Sequence, residues 1–257
     1  MMHESKIGIL TTSNSINYGA CLQTYALQRY LRNEGYVAEV VDFRPQAKGR
    51  NQSALRRLRS FVWDNTLRPL LRDRKRESLT RSFRRDFVNY SENVFFNAEE
   101  LRNSSLYETM IVGSDQIWNP RYAMFDDGVW FLDFPQVSRK VAYAASFGIS
   151  ALPEYSKEEY ARRIREMDAV SVREETGANI IQELISCRPN VVMDPVFLLD
   201  QEQWKRFAVE PTKSNYVLCY YMPGFQRVEK EIEQQALRLA KEKDLEIINI
   251  GKRELSR

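Results

Sequence analysis

Short apolar runs rich in β-branched residues alternate along this chain with longer polar segments of helical composition. Residues 6–12 (KIGILTT) form the first run and predict a buried strand. A helix is predicted for about residues 20–33, where apolar side chains recur at helical spacing, and residues 36–43 (YVAEVVDF) predict a second strand. A strand–helix–strand opening predicts parallel strands and therefore an α/β fold.

The same alternation returns later in the chain. Further strands are predicted at residues 109–113, 141–147, 169–172 and 190–193, and helices at 157–167 and 174–185. Together these elements predict an α/β, doubly wound (Rossmann-like) parallel-sheet domain over residues 1–200. Residues 213–257 then open as another strand, helix and strand. We expect them to be the incomplete start of a second Rossmann-like domain, because one such unit cannot cover both faces of its sheet. The alternative is that this unit packs on the first domain.

A basic segment separates the second predicted strand from the third. Residues 44–85 contain 14 Lys and Arg against 3 Asp and Glu, while the whole chain carries a formal charge of only +3. Apolar residues are interspersed, so we interpret about residues 44–105 as a basic helical insert. It is either the solvated face of a packed helix or a surface that contacts an anionic partner such as a membrane surface or a lipid-linked phosphate. No nucleic-acid-binding motif accompanies it, and we expect no nucleic-acid partner.

Composition excludes several classes of protein. His3 is the single histidine, so an HExxH metal site is impossible and we expect no metal site. The three cysteines lie far apart, which argues against a disulfide framework. No run approaches the about 18 apolar residues of a membrane span, and no secretory signal opens the chain. We therefore expect a cytoplasmic location, with peripheral contact at the inner membrane face as an open alternative.

Polar residues follow the predicted strands at the points where ligands bind in open α/β sheets. Asn17 and Gly19 lie in the first strand–helix turn, where backbone N–H groups favour an anion. The turn lacks GxGxxG, and an ordinary glycine turn is its alternative reading. Residues 113–120 (GSDQIWNP) place hydrogen-bonding side chains around a tryptophan after another strand. That density of polar groups indicates a binding site, although Ser114 or Asp115 is also suited to cap a helix.

Two later strand ends add candidates. Residues 143–148 (YAASFG) end in small residues, of which Ser146 carries a hydroxyl group. Arg173 follows the next strand at the start of a helix, where a guanidinium is suited to bind phosphate or carboxylate. The alternative for Arg173 is a structural ion pair with Glu174 or Asp194.

These motifs, in this order, resemble the polysaccharide pyruvyl transferase family. The resemblance rests on residues 17–23 (NYGACLQ), 113–119 (GSDQIWN), 143–148, 171–174 (SVRE) and 194–199 (DPVFLL). It implies a GT-B-type fold of two Rossmann-like domains, and an enzyme that transfers pyruvate from phosphoenolpyruvate to two sugar hydroxyls as a ketal. Phosphoenolpyruvate is then a donor substrate, and no cofactor is expected.

The resemblance also assigns roles to residues. Arg173 would bind the anionic groups of the donor, and Asp115 is the candidate for acceptor orientation or general-base catalysis. The other candidates for substrate binding are Asn17, Gly19, Gln23, Ser114, Gln116, Trp118 and Ser146. The acceptor would be a glycan or a lipid-linked saccharide, with membrane contact through residues 44–85.

One departure from the family pattern affects the expected activity. The family's second domain carries a Ser-Phe-His-Gly-like segment, and this chain has no counterpart. We therefore expect the chain by itself to be weakly active or inactive. Two alternative functions remain open: a GT-B-type glycosyltransferase with a nucleotide-sugar donor, or a non-catalytic, truncated relative that binds glycan.

Overall fold

A computed structural model describes residues 6–45, 67–104, 106–120, 128–220 and 226–250. The chain divides into two compact units, Met1–Gln201 and Glu202–Arg257. Half of the basic segment, residues 46–66, lies outside the described residues, and so do the side chains of residues 67–75. Among the described helices, none is long and apolar enough to cross a membrane.

The larger unit contains a sheet of seven strands, all paired in parallel. Its strands are β1 (Ile7–Leu10), β2 (Ala38–Phe43), β3 (Tyr90–Phe95), β4 (Thr109–Val112), β5 (Arg139–Ala145), β6 (Ala169–Val172) and β7 (Asn190–Val191). Their order in the sheet is β3-β2-β1-β4-β5-β6-β7. The predicted doubly wound α/β fold is confirmed. The chain builds outward from β1 in one direction and then crosses back to add β4, so the topological switch point lies between β1 and β4.

Helices flank this sheet at positions close to those predicted. They are α1 (Tyr18–Asn33), α2 (Leu67–Phe87), α3 (Ala98–Arg102), α4 (Glu154–Arg165) and α5 (Glu175–Ile185), with 3-10 helices at Val129–Phe131 and Pro195–Leu198. Asn17 caps α1, since its side chain accepts a hydrogen bond from the Gly19 N–H. The 3-10 helix Pro195–Leu198 contacts α1.

The range predicted as a helical insert also contains a strand that the sequence pattern did not predict. β3 pairs with β2 at the edge of the sheet, and in the middle of it three consecutive residues, 92–94, are exposed. An edge strand with so few buried positions lacks the apolar alternation that marks a strand in the sequence. The helical prediction therefore holds for α2 and α3 and is wrong for Tyr90–Phe95.

The core of the larger unit is rich in aromatic residues. Trp118 and Phe131 are fully buried and stack with ring centroids 5.4 Å apart and planes 5° apart. Tyr160 packs edge-on against Phe131 and donates its hydroxyl hydrogen to the Trp118 carbonyl, 3.2 Å away. Large aromatic surfaces buried in this way contribute much of the stability of a domain.

The short helix α6 (Gln201–Lys205) lies at the boundary between the two units, and the rest of the regular structure described in the smaller unit is one strand–helix–strand motif. Strands β8 (Tyr216–Tyr220) and β9 (Glu246–Ile250) pair in parallel, and helix α7 (Gln226–Lys243) connects them. Cys219 and Ala236 are buried between the strands and the helix. Its interpretation as the start of a second Rossmann-like domain stays a prediction.

Candidate active site

The switch point of the sheet brings two polar turns together. β1 runs into Thr11 and Thr12, and the neighbouring β4 runs into residues 113–116. The Thr12 hydroxyl donates a hydrogen bond of 2.7 Å to the Asp115 carboxylate across this gap. Because open α/β sheets bind ligands outside the carboxyl ends of their strands at the switch point, this gap is the candidate active site.

The turn after β4 has an unusual backbone that directs Asp115 into this region. Gly113 has a φ of 120° and Asp115 a φ of 78°, and the peptide between Gly113 and Ser114 is cis. A side chain at Gly113 would overlap the carbonyl oxygen of Tyr143 on β5, so only glycine fits. The Asp115 carboxylate also accepts a 2.8 Å hydrogen bond from the Gln116 N–H, which fixes its orientation.

Arg173 lies at the same edge of the sheet and joins two other residues there. Its Nη1 atom lies 2.8 Å from Asp194 Oδ2 and 3.4 Å from Ser114 Oγ. The Ser114 hydroxyl also lies 3.3 Å from the same carboxylate oxygen. The ion pair with Asp194, which the sequence left as the structural alternative for Arg173, therefore forms, and it forms beside the predicted Ser114.

Trp118 was predicted to bind substrate, and that prediction is wrong. Its side chain is fully buried, and its indole N–H donates a 2.8 Å hydrogen bond to the carbonyl of Trp130. An aromatic residue between polar neighbours resembles a binding residue in sequence. In the structure, the turn after β4 directs it into the core.

Three further candidates are buried beneath the site rather than exposed in it. Gln23, Ser114 and Ser146 are 3%, 0% and 3% exposed. The Gln23 amide donates to the Thr11 hydroxyl at 2.8 Å, and its carbonyl oxygen accepts from the Ser114 N–H at 3.3 Å. The Ser146 hydroxyl accepts from the Gly148 N–H at 3.2 Å. In this arrangement the three side chains hold the turns at the site, and their assignment to substrate binding stays a prediction.

The remaining candidates are accessible. Asn17 and Gly19 are exposed at the start of α1, and Asp115, Gln116 and Arg173 are half-buried. The Gln116 carbonyl oxygen accepts a 3.0 Å hydrogen bond from the Asn119 side chain. The structure thus brings Asp115 and Arg173 to one edge of the sheet, with α1 beginning at that edge.

Three residues at this site had no binding or catalytic role assigned from the sequence. Thr12 holds Asp115, Asp194 holds Arg173, and the Tyr143 phenol lies within electrostatic range of Asp194. Burial, with smaller contributions from Tyr30 and Asp194, raises the pKa of Tyr143. A threonine directly after a strand was a usable signal for Thr12. Asp194 was named from the sequence only as a structural ion-pair partner of Arg173, and Tyr143 only as part of the strand end at residues 143–148.

The basic helix α2 also contacts the loop that precedes α1. Arg84 Nη1 donates to the carbonyl oxygens of Ser13 and Ser15, at 3.3 and 2.7 Å. The Arg76 guanidinium lies over the Tyr18 ring, 5.1 Å from its centroid. Two arginines of the basic segment therefore have structural roles at the first strand–helix turn.

The fold and this site define a class of protein: a doubly wound α/β protein with a guanidinium and a carboxylate at its topological switch point. The described residues contain no group of three or more His, Cys, Asp and Glu side chains placed to hold a metal ion. The sequence model of the family described as Polysaccharide pyruvyl transferase matches residues 17–255. The chain belongs to that family, as its motifs indicated. No curated protein and no solved structure matches it.

Proposed function

We propose that this protein transfers pyruvate from phosphoenolpyruvate to two hydroxyls of a sugar, forming a cyclic ketal. Family membership supports a transferase that acts on a polysaccharide or its precursor. The observation that carries the donor assignment is the half-buried Arg173 guanidinium, which uses only Nη1 within the described part of the protein. Its other two nitrogens are left to bind an anion.

The proposed reaction requires proton transfers at defined atoms. A proton adds to the methylene carbon of phosphoenolpyruvate, which becomes a methyl group, and positive charge develops at C2. One sugar hydroxyl adds to C2 and loses its proton. The bond between C2 and the phosphate oxygen then breaks, inorganic phosphate leaves, and the second hydroxyl adds to C2 and loses its proton to the released phosphate, which closes the ketal. A base is needed to accept a hydroxyl proton, and the oriented carboxylate of Asp115 is our candidate. Asn17, Gly19 and Gln116 would line the donor and acceptor region.

The donor can be identified by thermal stability. A ligand that binds the folded state raises the melting temperature, so phosphoenolpyruvate should do so and nucleotide sugars should not. Arg173→Ala should abolish the shift. Arg188→Ala is the matched control, because Arg188 is an exposed arginine bound to Asn179 and Gln182 on α5. A shift with a nucleotide sugar instead would favour the glycosyltransferase alternative.

Activity is tested by phosphate release from phosphoenolpyruvate in the presence of a glycan that can be pyruvylated. Release that depends on the glycan and on Arg173 supports the transferase. Phosphoenolpyruvate binding that is equally strong in Arg173→Ala, without turnover, would instead favour a non-catalytic glycan-binding protein. Robust turnover would also refute the expectation that this chain is weakly active by itself.

We also propose that the basic segment 44–85 brings the protein to an anionic membrane surface where a lipid-linked acceptor is held. The described end of the segment is engaged with the protein itself: Arg81 pairs with Glu77 and Arg85 pairs with Asp86. Arg44, at the other end, pairs with Asp42, so the contact would depend on residues 46–75. Co-sedimentation with phosphatidylserine vesicles but not with phosphatidylcholine vesicles would support it, and equal binding to both would contradict it.

A further inference from the structure

The carboxylate of Asp194 accepts hydrogen bonds from three groups in different parts of the larger unit. Its Oδ2 atom accepts from Arg173 Nη1 at 2.8 Å and from the Ser114 hydroxyl at 3.3 Å. Its Oδ1 atom accepts from the Val196 N–H at 3.1 Å, which caps the 3-10 helix. The carboxylate is therefore fixed to the backbone and has little freedom to follow the Arg173 side chain. Arg173 must adjust to Asp194.

Arg173 binds Asp194 through Nη1, which leaves the edge of the guanidinium formed by Nε and Nη2 without a partner among the described residues. A guanidinium binds a carboxylate most effectively through the fork formed by Nε and one Nη atom. Arg44 does so in this protein, with Nε and Nη2 at 2.8 and 2.6 Å from the two oxygens of Asp42. Arg173 instead offers Nη1 to one oxygen of Asp194, and its Nε and Nη2 have no partner among the described residues.

Ser114 is a second anchored contact for the Arg173 guanidinium. Its hydroxyl lies within reach of both Arg173 and Asp194, and its backbone is held by Gln23 on α1 and by the Thr11 hydroxyl after β1. The side chain of Ser114 is fully buried, so it has one position. The guanidinium is thus held on one side by two anchored oxygens. The Arg173 side chain as a whole is 29% accessible, so it is not sealed within the core.

We propose that Asp194 is a positioning residue that turns the Nε–Nη2 fork of Arg173 toward the site, and that this fork binds the carboxylate of the donor. The fork matches a planar carboxylate with two parallel hydrogen bonds, whereas a phosphate can be bound from many directions. The inference rests on the proposed function for the identity of the donor. It adds which group of the donor Arg173 recognises and which residue sets that recognition.

The test compares two anions in one variant. Removing the negative charge of Asp194 strengthens the binding of both anions electrostatically, and more so for phosphoenolpyruvate, which carries the larger negative charge. The change in charge by itself would therefore raise the preference for phosphoenolpyruvate, so a fall in that preference reports lost positioning. Asp194→Asn keeps an oxygen that can cap the 3-10 helix and loses the carboxylate. We expect the preference for phosphoenolpyruvate over inorganic phosphate, measured by calorimetry, to fall about tenfold, consistent with the loss of one charge-assisted hydrogen bond.

Two controls separate positioning from folding. Asp168→Asn is the matched variant, because the Asp168 carboxylate likewise accepts from a backbone N–H, that of Lys140 at 2.7 Å, just before β6 and away from the site. It should leave the ratio unchanged. If Asp194 acts through Arg173, adding Asp194→Asn to Arg173→Lys should change the ratio no further than Arg173→Lys does.

A second measurement needs no ligand. The Nε–H group of Arg173, assigned by its loss in Arg173→Lys, should have restricted motion by NMR relaxation in the parent protein and become mobile in Asp194→Asn. Unchanged mobility overturns the proposal, and so does an unchanged ratio when both proteins bind phosphoenolpyruvate. If phosphoenolpyruvate does not bind the parent at all, the donor assignment fails, and the relaxation measurement still decides whether Asp194 positions Arg173.

Discussion

The turn after β4 provides the sharpest test of the structure, through the substitution Gly113→Ala. Gly113 has a φ of 120°, a conformation that costs a residue with a Cβ about 1–3 kcal/mol. The new Cβ would also overlap the backbone carbonyl of Tyr143 on β5. β5 is held between β4 and β6, so it cannot move away freely, and overpacking of this kind adds about 1–3 kcal/mol. We expect a total loss of about 2–6 kcal/mol in the free energy of unfolding.

Gly35→Ala is the matched control for this substitution. Gly35 has a φ of 88°, but nothing lies within 4 Å of a Cβ built there, so only the conformational cost of about 1–2 kcal/mol applies. Urea unfolding followed by tryptophan fluorescence measures both, since Trp118 and Trp130 are buried in the larger unit. Equal losses for the two variants would refute the proposed clash, and with it the geometry of the turn that carries Asp115.

Three further substitutions test other parts of the structure. Trp118→Phe should lower the free energy of unfolding by about 1–3 kcal/mol, because the Trp130 carbonyl loses its donor, while phosphoenolpyruvate affinity stays unchanged; a binding defect without a stability loss would argue against a core position. Burial raises the pKa of Tyr90 to about 12, so the folded state holds this proton more tightly and stability falls as pH rises from about 10 toward 12. Tyr90→Phe should remove about 2 kcal/mol of that fall, measured by urea unfolding at pH 9 and 11.5, and an unchanged slope would contradict the burial argument. Arg84→Met should free the two carbonyls before α1 and increase amide exchange there, whereas Arg81→Met, on the exposed side of α2, should not.

Much of the fold can be predicted from the pattern of apolar and polar residues within short segments of the sequence. The apolar runs that became β1 and β4 are nearly continuous because parallel strands are buried on both faces, and such runs can be recognised without knowing their partners. Once an apolar run is recognised as a strand, the polar residues that directly follow it can also be recognised. Asp115 and Arg173 were found in this way. β3 was missed because its pairing with β2 at the sheet edge requires little apolar burial.

Chemical type did not distinguish site residues from supporting residues. Gln23, Ser114 and Ser146 were plausible ligand-binding residues in sequence, and the structure buries all three beneath the turns. Trp118 was equally plausible and lies in the core. Whether a polar or aromatic side chain at a strand end points outward depends on the backbone of its turn, and positive φ values such as that of Gly113 cannot be read from residue types alone.

The amino-acid sequence by itself determined the class of fold, the order of its strands and helices, and the family to which the chain belongs, because each depends on patterns within a few tens of residues. Only the tertiary structure decided that Arg173 meets Ser114 and Asp194, which lie 59 and 21 positions away along the chain. Those contacts exist because the sheet places β4, β5, β6 and β7 side by side with their carboxyl ends at one edge. The order of strands in space, rather than along the chain, assembles the guanidinium, the hydroxyl and the carboxylate into one site.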